Sequence, residues 1–181
     1  MKVTLAITGA SGSIYARQLI QCLIKQDVVE SITVICSKNG LEVMDFEGEF
    51  IPENEKVTLK NNKDFYSHTV SGSSCDDVMI IIPCSVGMMS RIAGGISDDV
   101  ISRSADVILK ERRKIIFVVR ETPLNIIHIR NMQTLSEAGA IIMPASPSFY
   151  SKPQNIEDVA MTVTNRVMSL LGFKNDFSWG K

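Results

Sequence analysis

The chain has 181 residues, of which 45% are hydrophobic and 22% charged, and its formal net charge is -1. These values predict a single globular domain over residues 1–181 and exclude a disordered chain. The balanced charge provides no global field for nucleic acid or an anionic membrane, so neither is an expected partner. No stretch approaches the roughly 20 apolar residues that a bilayer span requires, and we expect a cytoplasmic protein.

Strand and helix patterns alternate along the chain. Strands are predicted over residues 2–8, 30–37, 76–85, 112–121 and 139–146. Apolar residues at helical spacing predict helices over residues 13–26, 100–113, 125–139 and 156–172. The segment from about residue 45 to residue 70 is charged and less regular. This alternation predicts an α/β fold, with a doubly wound, mostly parallel, Rossmann-like sheet in three αβα layers.

The cysteines and histidines give little basis for a disulfide framework or a metal site. No CxxC spacing is present, and reduced, mostly buried thiols are expected at Cys22, Cys36, Cys75 and Cys84. The two histidines are far apart in the sequence and form neither an HxxxH nor an HExxH pattern. We therefore predict no protein-bound metal.

The loops that follow the predicted strands are rich in Gly, Ser, Pro or charge, and ligands bind at this edge of such a sheet. The first loop, TGASGS, allows Ser11 and backbone amides to approach a ligand at a helix N-terminus, where a phosphate is favoured. It matches neither GxGxxG nor a P-loop, and a tight turn with a capping hydroxyl explains it equally well. Ser37 and Ser85 also end strands at this edge, which favours a phosphorylated ligand that contacts several loops.

Four motifs together resemble one family: PCS after a strand, ADVxLKERR, xRETPL and PxFYxxPQ. They are similar to the flavin prenyltransferases of the UbiX type, which belong to the homo-oligomeric flavin-containing Cys decarboxylase-like flavoproteins. The resemblance covers nearly the whole chain and is weakest over residues 45–70. It implies a metal-independent transfer of a dimethylallyl group from dimethylallyl monophosphate to N5 and C6 of reduced FMN.

The resemblance also implies the partners of the protein. The expected assembly is a homododecamer with the flavin at subunit boundaries. The product, prenylated FMN, is the cofactor of a UbiD-type decarboxylase, which would receive it in ubiquinone biosynthesis or aromatic acid decarboxylation.

The family's site residues can be carried over position by position. The implied flavin contacts are Gly9, Ala10, Ser11, Ser37, Ser85, Val86, Gly87, Met88 and Arg120. The implied contacts of the prenyl donor are Tyr150 and Arg166 on its phosphate, Arg103 and Lys110 as added positive charge, and Trp179 over the prenyl group.

The resemblance further implies catalytic roles for Ser11 near flavin N5, Glu121 as a proton relay, Lys110 beside the phosphate and Glu47 within the site. Glu49 is an alternative to Glu47. A phosphate that leaves an allylic carbon needs fixed cations on one side and a dry, polarisable wall on the other. Basic side chains supply the first requirement, and flavin and aromatic faces supply the second. In a less specific interpretation, basic residues in LKERRK form a solvated helix end and Tyr150 anchors a loop.

Two places depart from the family pattern. Arg91 adds a charge to the loop SVGMMSRIAGG, and Asp98 and Asp99 replace an Asn-rich turn. We expect these changes to affect the donor pocket more than the flavin site.

Two other functions compete with prenyl transfer. An FMN-dependent cysteine decarboxylase-like enzyme should carry an early catalytic His and a PASANT-like loop, whereas this chain has PCSVGM there and no early His. A non-catalytic FMN-binding accessory subunit of a decarboxylase would use Ser11 and Arg120 equally well. The choice between a monophosphate and a diphosphate donor, and the identity of the recipient decarboxylase, stay open.

Overall fold

Six parallel strands form the centre of the structure, a computed structural model that describes residues 1–174. The strands are β1 (Lys2–Ile7), β2 (Ser31–Cys36), β3 (Val57–Asn61), β4 (Val78–Cys84), β5 (Lys114–Val119) and β6 (Ile141–Pro144). Their order across the sheet is β3-β2-β1-β4-β5-β6, and every pair is parallel. This order confirms the predicted doubly wound fold and has its switch point between β1 and β4.

Helices connect the strands. They are α1 (Ser13–Ile24), α2 (Lys38–Phe46), α3 (Val86–Ala93), α4 (Val100–Lys110), α5 (Ile126–Glu137) and α6 (Ile156–Leu170), with a short 3-10 turn at His68–Val70. The four predicted helices correspond to α1, α4, α5 and α6.

The helices cover both faces of the sheet. On one face, α1 and α6 pack on side chains that include Val3, Leu5 and Ile7 of β1. On the other face, α3, α4 and α5 pack on a cluster that includes Ala6 of the same strand. Alternate residues of a strand point to opposite faces, and a strand covered on both sides is therefore apolar throughout. This burial explains the continuous apolar runs from which the strands were predicted.

The structure corrects the prediction for the charged middle of the chain. This segment contains β3, an edge strand that pairs only with β2 and exposes Thr58 and Leu59. An edge strand exposed to solvent does not need a continuous apolar run, so its sequence, VTLKN, gives little signal. The short helices α2 and α3 were also missed, and α2 buries only Gly40 and Met44.

The cysteines agree with the prediction of reduced thiols. All four are free, and only Cys22 is partly exposed. Within residues 1–174, no helix has both the length and the apolar character needed to cross a bilayer.

A glycine allows α2 to pack closely against the end of β1. A Cβ atom on Gly40 would lie 2.5 Å from the carbonyl oxygen of Ile7, which is backbone and cannot rotate away. We expect Gly40→Ala to lower the free energy of unfolding by about 2 kcal/mol through overpacking. Chemical denaturation at matched protein concentration measures the change.

The matched control is Gly87→Ala in α3, where a Cβ atom would meet nothing within 4 Å. Alanine favours a helix over glycine, so this control should keep or slightly raise stability. Equal stability of the two variants would contradict the packing argument.

Candidate functional site

A cleft of about 510 Å³ opens at the carboxyl ends of β1, β2 and β4, beside the switch point of the sheet. Its lining residues are Thr8, Gly9, Ser37, Lys38, Asn39, Asn62, Lys63, Ser85, Gly87, Met88, Arg91, Asp98 and Asp99. The volume lies in the range of small-molecule and cofactor pockets. Five residues of the predicted flavin site are among these lining residues.

Thr8, at the end of β1, is hydrogen-bonded to the end of β4 beside the cleft. Its hydroxyl donates to the carbonyl oxygen of Pro83 at 2.8 Å and accepts from the backbone amide of Ser85 at 2.8 Å. The side chain is buried, and these bonds hold the ends of β1 and β4 in fixed relation. Thr8 was not among the predicted site residues, although a lone threonine between a buried strand and Gly9 was a usable signal.

Ser37 and Ser85 are the N-caps of α2 and α3. The Ser37 hydroxyl accepts from the Gly40 amide at 3.0 Å, and the Ser85 hydroxyl accepts from the Met88 amide at 3.3 Å. Both serines also line the cleft, so the N-termini of two helices open onto it. Their dipoles favour an anionic group in the cleft.

The N-terminus of α1 already has an anion, and that anion is Glu47. Its carboxylate accepts from the amide of Gly12 at 3.0 Å and from the amide of Ser13 at 2.8 Å. These amides are therefore taken within the chain. This corrects the expectation that the first loop offers them to a ligand phosphate, and leaves the starts of α2 and α3 for that role.

The environment of Glu47 favours its charged form. Burial opposes ionisation, but hydrogen bonds from the Ser11 hydroxyl and from the amides of Ser13 and Gly12 outweigh it, so the pKa of Glu47 lies below its ordinary value. Glu49 points elsewhere and accepts from Arg17 Nε at 2.5 Å. Of the two candidates, the structure thus brings Glu47 to Ser11.

Tyr15 connects this region to Arg120. Burial raises the pKa of the Tyr15 hydroxyl, the charge of Arg120 lowers it, Glu47 raises it, and the net shift is upward. Tyr15 therefore lies within electrostatic reach of two predicted site residues, and the sequence analysis missed it. The backbone amide of Arg120 donates to the Cys84 carbonyl at 3.0 Å, which fixes the start of this loop beside β4. The neighbouring Glu121 carboxylate accepts from the Thr122 amide at 2.9 Å.

The two departures from the family pattern contact each other. The Arg91 guanidinium donates to Asp99 at 3.0 Å and also contacts Asp98. All three residues line the same cleft as Gly9 and Ser85. The added cation is thus balanced by the added carboxylates. Arg91 belongs to the wall of this cleft, and the expectation that these changes affect the donor pocket more than the flavin site stays a prediction.

The predicted donor residues on the last loop and helix do not line this cleft. Tyr150 and Arg166 are exposed, Tyr150 after β6 and Arg166 on α6. A second cavity of about 320 Å³ lies between the Tyr150 loop and α6, lined by Ser151, Lys152, Pro153, Gln154, Asp158, Met161, Thr162 and Asn165. The Ser148 amide donates to the Thr162 hydroxyl at 3.1 Å and ties the loop to the helix.

Arg103 and Lys110 are also outside the cleft of their own chain. Arg103 pairs with Asp106 at 2.7 Å on α4, and Lys110 pairs with Glu111 at the end of that helix. The end of α4 leads into the start of β5, so Lys110 lies at the edge of the sheet opposite the cleft. The roles of both residues stay predictions, and that of Lys110 requires the cleft of another subunit. Trp179 lies outside the described residues.

The described residues also lack a metal cluster. Over positions 1–174, no group of three or more His, Cys, Asp or Glu side chains could hold a metal ion. Two basic side chains that line the cleft, Lys38 and Lys63, can attract an anion, whereas Arg91 is paired with Asp98 and Asp99.

Comparisons with known proteins identify relatives over almost the full length. The sequence pattern of the Flavoprotein family matches residues 1–171. Flavin prenyltransferase UbiX of Methanocaldococcus jannaschii is 41% identical, and the match covers 99% of each chain. A dodecameric FMN-dependent UbiX-like decarboxylase from Escherichia coli superposes with a TM-score of 0.91 at 32% identity, over 100% of each chain. AnUbiX, solved with FMN and dimethylallyl pyrophosphate, superposes with a TM-score of 0.88 at 35% identity, over 98% of each chain.

The contacts of Glu47 predict a pH-dependent contribution to stability. We expect Glu47→Gln to lower the free energy of unfolding at pH 7 by about 1 kcal/mol, the low end for charge-assisted hydrogen bonds because the carboxylate is partly solvated. The folded-state pKa of Glu47 is depressed. The stabilisation is therefore complete above the unfolded pKa of about 4.5 and disappears as the pH falls through the folded value.

Denaturant titrations between pH 7 and pH 3 measure this difference. Glu53→Gln, an exposed carboxylate between α2 and β3, is the control and should show no such trend. A stability difference between Glu47→Gln and wild type that stays constant down to pH 3 would contradict the assignment.

Proposed function

Since the chain belongs to the UbiX flavin prenyltransferases of the Flavoprotein family, we propose that it transfers a dimethylallyl group from dimethylallyl monophosphate to reduced FMN. The single observation that carries the proposal is the cleft at the β1/β4 switch point, next to which Glu47, at the end of α2, accepts from the amides of Gly12 and Ser13 at the start of α1. Relatives curated as flavin prenyltransferases, and a relative solved with FMN and the dimethylallyl diphosphate, support the assignment.

The described residues fit a flavin nucleotide. The cleft has room for a ligand of this class, and a Cβ atom on Gly87 would face open space within it. The starts of α2 and α3 and the side chains of Lys38 and Lys63 favour the phosphate of FMN. Gly9, Ser85 and Met88 would contact the ring or the ribityl chain. Reduced FMN supplies the nucleophilic atoms, N5 and C6, that receive the prenyl group.

Ser11 and Glu47 would control protons near the flavin. The ionised Glu47 carboxylate lies beside the Ser11 hydroxyl and would accept a hydrogen bond from it. A carboxylate with a depressed pKa is charged at neutral pH and favours positive charge that develops on the allylic carbon. Glu121, on the loop after β5, is the second carboxylate and is proposed to relay protons at the leaving phosphate.

The leaving phosphate needs cations, and the proposed ones are Arg103, Lys110 and Arg166, with Tyr150 as a hydrogen-bond donor. Lys110 lies at the end of α4, far from the cleft of its own chain, whereas Arg103 lies one turn after the cleft-lining Asp99 without lining the cleft itself. We infer that the site is shared, and that a neighbouring subunit supplies part of this group. Exposed apolar side chains on α5, which include Ile126, Ile127 and Ile129, support an assembly because such patches mark contact surfaces.

We also propose a homododecamer, a cytoplasmic location and a UbiD-type decarboxylase as recipient of the product. The dodecameric relative from Escherichia coli supports the first proposal. The four free thiols support a reducing compartment. The recipient follows from the nature of the product, which is a cofactor for decarboxylation.

An anaerobic reaction tests the proposed function. The purified protein is incubated with reduced FMN and dimethylallyl monophosphate, and in parallel with the diphosphate. Mass spectrometry should detect flavin heavier by one five-carbon prenyl unit, formed faster from the monophosphate. Bound FMN without any adduct from either donor would favour the alternative, an FMN-binding accessory subunit.

Substitutions should separate donor use from flavin binding. We expect Arg166→Ala and Tyr150→Phe to reduce kcat/KM for the donor about tenfold or more, because each removes a contact to the departing phosphate. FMN affinity, measured by fluorescence quenching, should change less than about twofold, since neither residue lines the cleft. Lys174→Ala, an exposed cation beyond α6, is the control. Equal losses of donor use and FMN affinity would contradict the separate assignment.

Mixed oligomers test the shared site. Ser11→Ala and Lys110→Met should each lower the rate about 10²-fold or more when every subunit carries the substitution. Co-expression of the two variants should restore activity at about a quarter of the sites, because a random pair of neighbours then includes both intact residues. The control is Ser11→Ala co-expressed with the chain that carries both substitutions, which should stay inactive. Failure of the first mixture to recover would show that Lys110 does not act in a neighbour's site.

A further inference from the structure

Arg17 is a nearly buried cation on α1 that the proposed mechanism does not use. Its side chain is 12% exposed and contacts two carboxylates. Arg17 Nε donates to Glu49 at 2.5 Å, and Nη2 donates to Glu157 at 2.5 Å. The guanidinium also lies 6.0 Å from the ring centroid of Phe50. The Arg17 guanidinium thus connects α1 both to Glu49, in the segment after α2, and to Glu157, in the first turn of α6.

The carboxylate of Glu49 and that of Glu47 hold the same helix. Glu47 accepts from the amides at the start of α1, and Glu49 binds Arg17 one turn later. Gly48 lies between them with φ of +69°, and the Glu49 amide donates to the Met44 carbonyl at 2.9 Å. Because this turn is tight, the position of Glu49 strongly restricts the position of Glu47.

The contact to α6 extends this arrangement to the donor loop. Glu157 binds Arg17 and also accepts from Gln18 Nε2 at 2.7 Å. The Gln18 side-chain oxygen in turn accepts from the buried hydroxyl of Thr164 at 3.2 Å. The start of α6 follows directly on the loop that contains Tyr150, so the same cation connects the chain segments on both sides of the proposed site.

We propose that Arg17 is a positioning residue that holds Glu47, through Glu49, against Ser11 and the start of α1. A lysine could not replace it, because an ammonium group lacks the planar fork that reaches two carboxylates at once. Without the guanidinium, Glu49, which is 14% exposed, and Glu157 cannot both keep their cation, and a carboxylate that loses its partner moves toward water. Glu47 would then move with Glu49. The catalytic consequence rests on the proposed function, whereas the structural coupling does not.

Hydrogen–deuterium exchange tests the coupling without any substrate. In intact oligomer, Arg17→Lys should accelerate exchange of the amides of Gly12 and Ser13 about tenfold, because they lose a charge-assisted acceptor. Glu49→Gln, which keeps Arg17, should have the same effect. Lys25→Met removes a cation from the end of α1 and should leave this exchange unchanged. Unchanged exchange in both Arg17→Lys and Glu49→Gln would overturn the inference.

A double-mutant cycle tests the catalytic role. Arg17→Lys should lower the turnover number about 10-fold to 100-fold, as expected for a misplaced site group, with little change in KM for FMN. In the Glu47→Gln background, it should lower turnover less than about twofold, because the residue through which it acts is already lost. Equal factors in both backgrounds would indicate a purely structural role and overturn the inference. A wild-type protein that forms no adduct refutes the proposed function, and the exchange result then decides the coupling alone.

Discussion

The site depends on the joint between β1 and β4, where the connections leave the sheet on opposite faces. This divergence opens a crevice that neither set of helices can fill. The crevice would collapse or splay if the two strand ends moved independently, and Thr8 prevents this by bonding to both Pro83 and Ser85. The buried hydroxyl, together with the backbone bond from the Thr8 amide to Pro83, therefore restricts where the loops that carry Gly9 and Ser85 can lie. The N-caps at Ser37 and Ser85 use this fixed geometry to direct two helix starts into the same space.

The backbone amides at the start of a helix bind a limited number of anionic groups, and this limit determines where negative charge can lie beside the cleft. At α1 the free amides are bonded to Glu47, which makes this N-terminus a holder of a carboxylate and not of a ligand phosphate. A ligand anion is thereby directed to α2 and α3. Ser11 gains an ionised acceptor, and Tyr15 comes under the opposed influences of Glu47 and Arg120. Charges of both signs thus lie close together beside the cleft, the arrangement that stabilises a separating ion pair.

Two of the cations proposed for the leaving phosphate are held in ion pairs on α4. Arg103 pairs with Asp106 near the start of α4, and Lys110 pairs with Glu111 at the end of that helix, far from the switch point. No rotation of a side chain spans a sheet from one edge to the other. The proposed use of Lys110 in catalysis therefore requires a site that is shared between subunits. The exposed apolar residues of α5 give the chain a surface on which such contacts can form.

The sequence alone determined the elements that are buried on both faces and the edge at which the site lies. Strands such as β1 and β4 are apolar because helices cover them, and parallel strands end at one edge, so Ser37 and Ser85 were predicted together. The sequence alone could not identify β3, because the exposed side chains of this edge strand need no apolar pattern. It also could not distinguish Glu47 from Glu49, which lie two residues apart. Tertiary structure decided that choice, the balance of Arg91 by Asp98 and Asp99, and the distance of Lys110 from the cleft. The physical reason is that periodicity in the sequence indicates only whether a residue is buried. The partner of a side chain that is 35 residues away, as Glu47 is from Gly12, is fixed only when the helices pack.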